Sequence, residues 1–131
     1  MHRASEIDQL RKFKHELTFL IGSAELEGLI GYEQARSGLT LLAEVILQAA
    51  LGLAQQYLAP RYGRLLAEEN AEPGFAIVGM GKFGGDELTY HSDLDLIFLH
   101  SGTGFTSGPN ETGRRSTGFV SLSGSFRSSP P

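Results

Sequence analysis

Apolar positions in the first part of the chain recur every three to four residues. Leu10, Phe13, Leu17 and Leu20 fall on one helical face, with Arg11, Lys12 and Lys14 elsewhere. A second stripe runs through Leu42, Val45, Ile46, Ala49, Leu53 and Tyr57. Pro60 is expected to end it, because proline disfavours helix in the residue before it. Stripes of this period pack helix on helix, so both read as core. The period then shortens. Residues 75–78 (FAIV) and 94–99 (LDLIFL) are short runs rich in strand formers and read as buried strands. From residue 101 the pattern is lost: nearly half the residues are serine or glycine, and the chain ends SSPP. Such a segment cannot bury enough apolar surface to order itself and is expected to be disordered. The chain thus divides into a helical segment (1–63), a two-stranded unit (64–100) and a tail (101–131). The fold class is α+β, with a folded body ending near His100.

Between the two strands lies the stretch with chemical character, GMGKFGGDELTYHSDLDLIF at 79–98. Its opening fits G-x-G-x-x-G, the glycine pattern of a dinucleotide-binding turn, which also needs a following helix and an acid about 20 residues on. Both are missing. Only residues 86–92 separate Gly85 from the next acidic strand, too few for a crossover of about a dozen residues. A phosphate-binding P-loop fails as well, since Phe83 follows Lys82 where serine or threonine is required. What remains is a strand, a Gly-Gly turn expected to open a very short helix, and a strand that starts Asp-Leu-Asp. Side chains two apart on a strand share a face, so Asp93 and Asp95 project together while Leu94 and Leu96 pack oppositely. Neighbouring carboxylates repel, and a divalent cation relieves them. Their hard oxygens suit Mg²⁺ (or Mn²⁺), which completes its shell with water and substrate phosphates. Gly84 and Gly85 would let the backbone approach a phosphate, with amides at the helix start aimed at it. Carboxylate-held metal and backbone amides together suit a nucleoside triphosphate and nucleotidyl transfer. An Asp-x-Asp at a strand edge can also be merely solvated; the conjunction with the preceding strand and glycines makes it specific.

Composition narrows the classes. The formal charge of −4 argues against a general nucleic-acid binder, which would carry a basic stripe. No cysteine is present, so disulfides and thiolate metal sites are excluded. The start, MHRASEIDQLRKFKHE, is too polar for a signal peptide, and no uninterrupted apolar run approaches the roughly 20 residues of a membrane span. A soluble, cytoplasmic chain without membrane contact is the expectation.

The run GFAIVGMGKFGGDELTYHSDLDLIFLH closely resembles the signature of the glutamine synthetase adenylyltransferase family, within the polymerase-beta-like nucleotidyltransferase superfamily. LRKFKHELTFLIGSAELEG, LTLLAEVILQAA and PRYG resemble the helical segment before that signature, so the likeness covers roughly the first hundred residues. It implies a helical segment followed by the start of a nucleotidyltransferase sheet. The implied activity is transfer of AMP from ATP to a tyrosine of glutamine synthetase, or its removal by phosphorolysis, in the regulation of nitrogen assimilation. Implied partners are glutamine synthetase and a PII-type signalling protein. The RKFK lead-in and the SDLDLIFLH ending look more like the adenylylating half of such enzymes than the removing half. Carried over by position, Asp93 and Asp95 match the metal-binding pair and Gly84 and Gly85 the phosphate-facing glycines. Ser92 is expected to orient the first carboxylate and Lys82 to touch phosphate; His91 is given no role.

The chain departs from the family in one respect. The superfamily uses a third carboxylate from a later strand, here expected within an Asp-x-Arg-Leu-Arg-Pro-like segment, and no such segment exists. The chain is therefore expected to be a fragment with a weakened metal site, inactive alone. The competing reading is a catalytically dead module that only binds. The tail also reads as an out-of-frame translation. Joining the last base of each codon to the first two of the next makes FVSLSG at 119–124 compatible with the arginine-leucine-alanine-glutamine-arginine run expected there.

Overall fold

The structure, a computed structural model, describes residues 2–62, 65–67, 75–100, 104–106 and 119–124. Two long helices, α1 (His2–Leu26) and α2 (Tyr32–Tyr62), form an antiparallel hairpin. A tight reversal ends α1: Gly28, at φ +72, donates its amide to the Glu25 carbonyl, and the Leu29 amide reaches the Ala24 carbonyl. Entry to α2 is capped from inside, where Gln34 Oε1 accepts the Gly31 amide at 2.8 Å.

Both predicted helices are present, with three corrections. α2 does not stop at Pro60 but continues to Tyr62. So near the helix end, a missing amide removes one bond of the last turn, and Arg61 lies over the Tyr57 ring at 4.7 Å, one turn back. The α1 stripe is also not a full core face. Leu10 and Leu17 are half-buried, but Phe13 and Leu20 are 41% and 62% exposed. With α2 as its main support, α1 buries only a narrow seam. In α2, Ala35, Leu39, Leu42 and Ile46 are buried, whereas Val45 of the predicted stripe is exposed. By length and composition alone, α2 is long and apolar enough to cross a membrane, yet it supplies core residues to this fold.

Strands β1 (Leu65–Ala67) and β4 (Gly104–Thr106) form one antiparallel pair. The second sheet is antiparallel in the order β2 (Phe75–Met80), β3 (Leu94–His100), β5 (Phe119–Gly124). Helix α3 (Gly81–Gly84) and a short loop join β2 to β3. The α+β class holds. β2 and β3 are adjacent antiparallel neighbours, which leaves no place for a dinucleotide-type crossover.

The expectation of buried strands holds for the start of β3 and not for β2. Phe75, Val78 and Met80 are exposed; among the described residues β2 is a sheet edge with β3 as its one neighbouring strand. The expectation of a disordered tail is corrected over Gly104–Thr106 and Phe119–Gly124, which form strands; the rest of the tail lies outside the described residues. FVSLSG alternates apolar and small polar residues, a period-two pattern that matches the free edge of β3.

The core lies where the helical hairpin meets the β2–β3 connection. Leu39 of α2 packs with Phe83 of α3, Leu88 of the loop and Leu94 of β3, and Ile21, Ala43, Leu47 and Leu96 surround them. Three polar ties reinforce the join: Ser37 Oγ donates to Asp86 Oδ2 at 3.1 Å, Arg36 pairs with Glu87 at 3.7 Å, and Tyr90 Oη donates to Glu25 Oε2 at 2.6 Å.

Candidate functional site

Strand periodicity sets the acidic pair. Leu94 is only 7% exposed and belongs to the core, and Leu96 packs beside it. Asp93 and Asp95, on either side of Leu94, are both exposed. The pattern predicted for Asp-Leu-Asp is the one observed. Asp93 is the last residue before β3, and Asp95 stands in register between Met80 of β2 and Ser123 of β5.

The glycines divide their labour differently from the sequence expectation. α3 begins at Gly81 and ends at Gly84, so Gly84–Gly85 closes the short helix instead of opening it. The Gly85 amide is already used, donating to the Gly81 carbonyl at 3.0 Å; those of Asp86 and Glu87 go to Phe83 and Lys82. Gly84 serves close packing. A β-carbon there would lie 2.5 Å from the Gly79 carbonyl oxygen, a backbone atom that cannot withdraw. The glycine nearest the chemistry is Gly81, which sequence reasoning passed over. It has φ +53, and a β-carbon on it would meet Asp95 Oδ2 at 2.6 Å. The carboxylate of Asp95 therefore rests on the bare backbone of the β2–α3 junction. The G-x-G of Gly79 and Gly81 carried that signal; as a dinucleotide turn it fails, and the phosphate was expected at Gly84 and Gly85 instead.

Ser92 is engaged elsewhere than expected. Its hydroxyl accepts the Thr89 amide at 2.8 Å and lies 2.8 Å from Thr89 Oγ1, while its own amide donates to the Thr89 carbonyl at 3.1 Å. It closes a tight turn over Thr89–Ser92 and orients Asp93 only by fixing the backbone before it. Lys82 is exposed on α3, within one residue of Gly81. His91 is exposed in the turn. Tyr90, also in the turn, has its phenol pushed up to about 12 by the hydrogen bond to Glu25, with desolvation and the Glu25 charge adding to it.

The donor set fits a hard cation that keeps most of its waters: two exposed carboxylates, one seated on a glycine where any side chain would displace it. Among the described residues no group of three or more His, Cys, Asp or Glu side chains is placed to hold a metal ion. Strand β5, beside Asp95, is FVSLSG and contributes no acid.

The sequence profile of the glutamate-ammonia ligase adenylyltransferase family matches residues 1–128. Curated relatives named bifunctional glutamine synthetase adenylyltransferase/adenylyl-removing enzyme are similar over most of the chain. The protein of Nitrosococcus oceani is 43% identical over 99 residues, covering 73% of this chain and 10% of the relative. That of Thioalkalivibrio sulfidiphilus is 42% identical over 101 residues (75% and 10%). That of Mannheimia haemolytica is 42% identical over 95 residues (72% and 10%). No solved structure matches the chain significantly. The chain spans about a tenth of the length of these relatives. The profile match spans nearly the whole chain, and the chain belongs to the glutamate-ammonia ligase adenylyltransferase family.

Proposed function

We propose that the chain carries the opening part of a nucleotidyltransferase site that moves AMP between ATP and a tyrosine of glutamine synthetase. Asp93 and Asp95 would hold Mg²⁺ or Mn²⁺. The single observation that carries this reading is the exposed pair flanking a buried leucine, with Asp95 seated on Gly81. When bound, the cation would neutralise charge on the phosphates of ATP and favour attack by the acceptor hydroxyl. The chain's own residues set the carboxylates in place. Leu94 anchors the strand between them, and the bare backbone at Gly81 leaves room for Asp95. Lys82, exposed on α3, is the cation for the nucleotide phosphates. Gly84 and Gly85 contribute through the tightness of the α3 turn, since the Gly85 amide is spent within it.

The finer assignments rest on the family: the adenylylating sense of the reaction over the removing sense, a PII-type regulator, and a cytoplasmic setting. One observation favours a second reading, a module that binds metal and nucleotide without turnover. The strand next to Asp95 holds no acid, and a third carboxylate is what catalysis in this superfamily requires. Titration of ATP in the presence and absence of Mg²⁺ tests the shared core of both readings. Metal-dependent ATP binding, lost in Asp93→Asn and in Asp95→Asn, is the expected result. Binding unchanged in both variants would remove the assignment. Adenylyl transfer to glutamine synthetase separates the two readings.

A further inference from the structure

The segment that delivers Asp93 is short and anchored at both ends. Leu88 and Leu94 are buried in the same core, so only residues 89–93 span the gap between them. Within that span the Ser92 amide donates to the Thr89 carbonyl, and the Ser92 hydroxyl accepts the Thr89 amide. Tyr90 is the second residue of this turn and the one that leaves it to grip another element. Its ring lies against Gly22 of α1, where a β-carbon would be 3.5 Å from Cε1. Its hydroxyl donates to Glu25 Oε2 at 2.6 Å, one helical turn further along the same face. The contact joins residues 65 apart in sequence. A hydrogen bond to a carboxylate is among the stronger kinds, and this one fixes the turn three residues before the first acid.

We propose that Tyr90 and Glu25 form a latch that positions Asp93. The pair holds the Thr89–Ser92 turn against α1, so that the backbone enters β3 in one orientation. This rests on reading Asp93 and Asp95 as the metal-holding pair. Neither residue touches the metal or nucleotide; both are positioning residues. α1 thus has a task in the site although it supplies no group to it.

Three variants of the full 131-residue chain test the latch. Tyr90→Phe keeps the ring over Gly22 and removes the donor. Glu25→Ala removes the acceptor, and Glu25→Gln keeps an acceptor oxygen. Amide hydrogen exchange at Thr89 and Ser92 should quicken about tenfold in Tyr90→Phe and Glu25→Ala, while Leu39, Leu42 and Ile46 of α2 exchange as before. Glu25→Gln should restore most of the protection. The Kd for Mn²⁺, titrated with ATP present, should rise at least about threefold in the first two variants and less than about twofold in Glu25→Gln. Acceleration spread equally over α2 would mean general destabilisation and overturn the latch, as would unchanged exchange at Thr89 and Ser92. Should the unaltered chain bind Mn²⁺ and Tyr90→Phe bind it with the same Kd, the latch falls and the metal reading stands. Should the unaltered chain bind no Mn²⁺ even with ATP present, the metal reading falls and positioning of a metal-holding pair falls with it, whatever the exchange result.

Discussion

Replacing Gly81 by alanine probes the contact on which the proposed site depends. Two separable costs are expected. Gly81 has φ +53, and placing an L-residue with a side chain there costs about 1–2 kcal/mol. The new β-carbon would also lie 2.6 Å from Asp95 Oδ2, against the 3.4 Å at which ordinary contact begins, so the carboxylate must withdraw by about 0.8 Å. Overpacking costs about 1–3 kcal/mol in a core, and the low end applies because Asp95 is exposed and can turn aside. The sum is about 2–3 kcal/mol, a fall in Tm of roughly 8–24 °C for a folded unit of this size. A double-mutant cycle with Asp95→Ala divides it. Without the carboxylate, Gly81→Ala should cost only its backbone share, leaving a coupling of about 1 kcal/mol. Gly85→Ala is the control: φ is −90 and the β-carbon would stand 3.4 Å from the Gly81 carbonyl oxygen, so its cost should stay within about 0.5 kcal/mol. Urea unfolding of the four cycle members and the control measures all of this. A coupling indistinguishable from zero would refute the seat of Asp95 on Gly81.

Further predictions concern the core, the latch, the site and the reading frame. Leu94→Ala should destabilise by about 2–5 kcal/mol in the same unfolding assay, since Leu94 is buried against Leu39, Phe83 and Leu88. The Tyr90 phenol is raised from 10.0 to about 12 in the fold, so its stabilisation is complete below pH 10 and is lost as pH rises towards 12. The difference in urea midpoint between the unaltered chain and Tyr90→Phe should therefore be constant from pH 7 to about 9.5 and vanish by about pH 12. Ser123 stands opposite Asp95 in the β3–β5 register, so Ser123→Asp should tighten Mn²⁺ binding; an unchanged or weaker Kd would oppose the register or the metal reading. Sequencing the gene tests the shifted frame. No other frame downstream of Leu99 encoding an arginine-leucine-alanine-glutamine-arginine run and an Asp-x-Arg-Leu-Arg-Pro-like segment would end that idea.

What could be read from the chain was local. A period of three to four gave both helices and a short apolar run gave β3, because burial of one face needs only neighbours in sequence. The alternation of Leu94 and Leu96 with Asp93 and Asp95 gave the direction of the acidic pair for the same reason. What escaped depends on partners far along the chain. The edge position of β2 is one that 75–78 does not encode by itself. The pairing of Phe119–Gly124 with β3 follows from an unpaired strand edge that those residues do not contain. Pro60 marked an end of α2 that came two residues later, since one absent amide in a last turn is a small cost beside the packing of a long helix.

The glycines show why a motif can locate a site and still misassign its parts. A run of glycines reports that something must approach the backbone closely; it does not report what approaches. In GMGKFGG the carboxylate of Asp95 approaches Gly81, and the Gly79 carbonyl approaches Gly84. The Gly85 amide, assigned to phosphate, closes α3 upon the Gly81 carbonyl. A phosphate-binding turn and a carboxylate seat thus place the same demand on sequence, and only the later Asp-x-Asp distinguishes them. The demand also binds the acids to the glycines. The register sets Asp95 opposite Met80, the residue just before Gly81, so moving β3 by one residue would lift the carboxylate from its seat and turn Leu94 out of the core. The apolar contact of Leu94 and the bare backbone at Gly81 therefore specify one register from opposite faces of the strand. That register leaves both acids exposed, as the proposed cation and triphosphate would require.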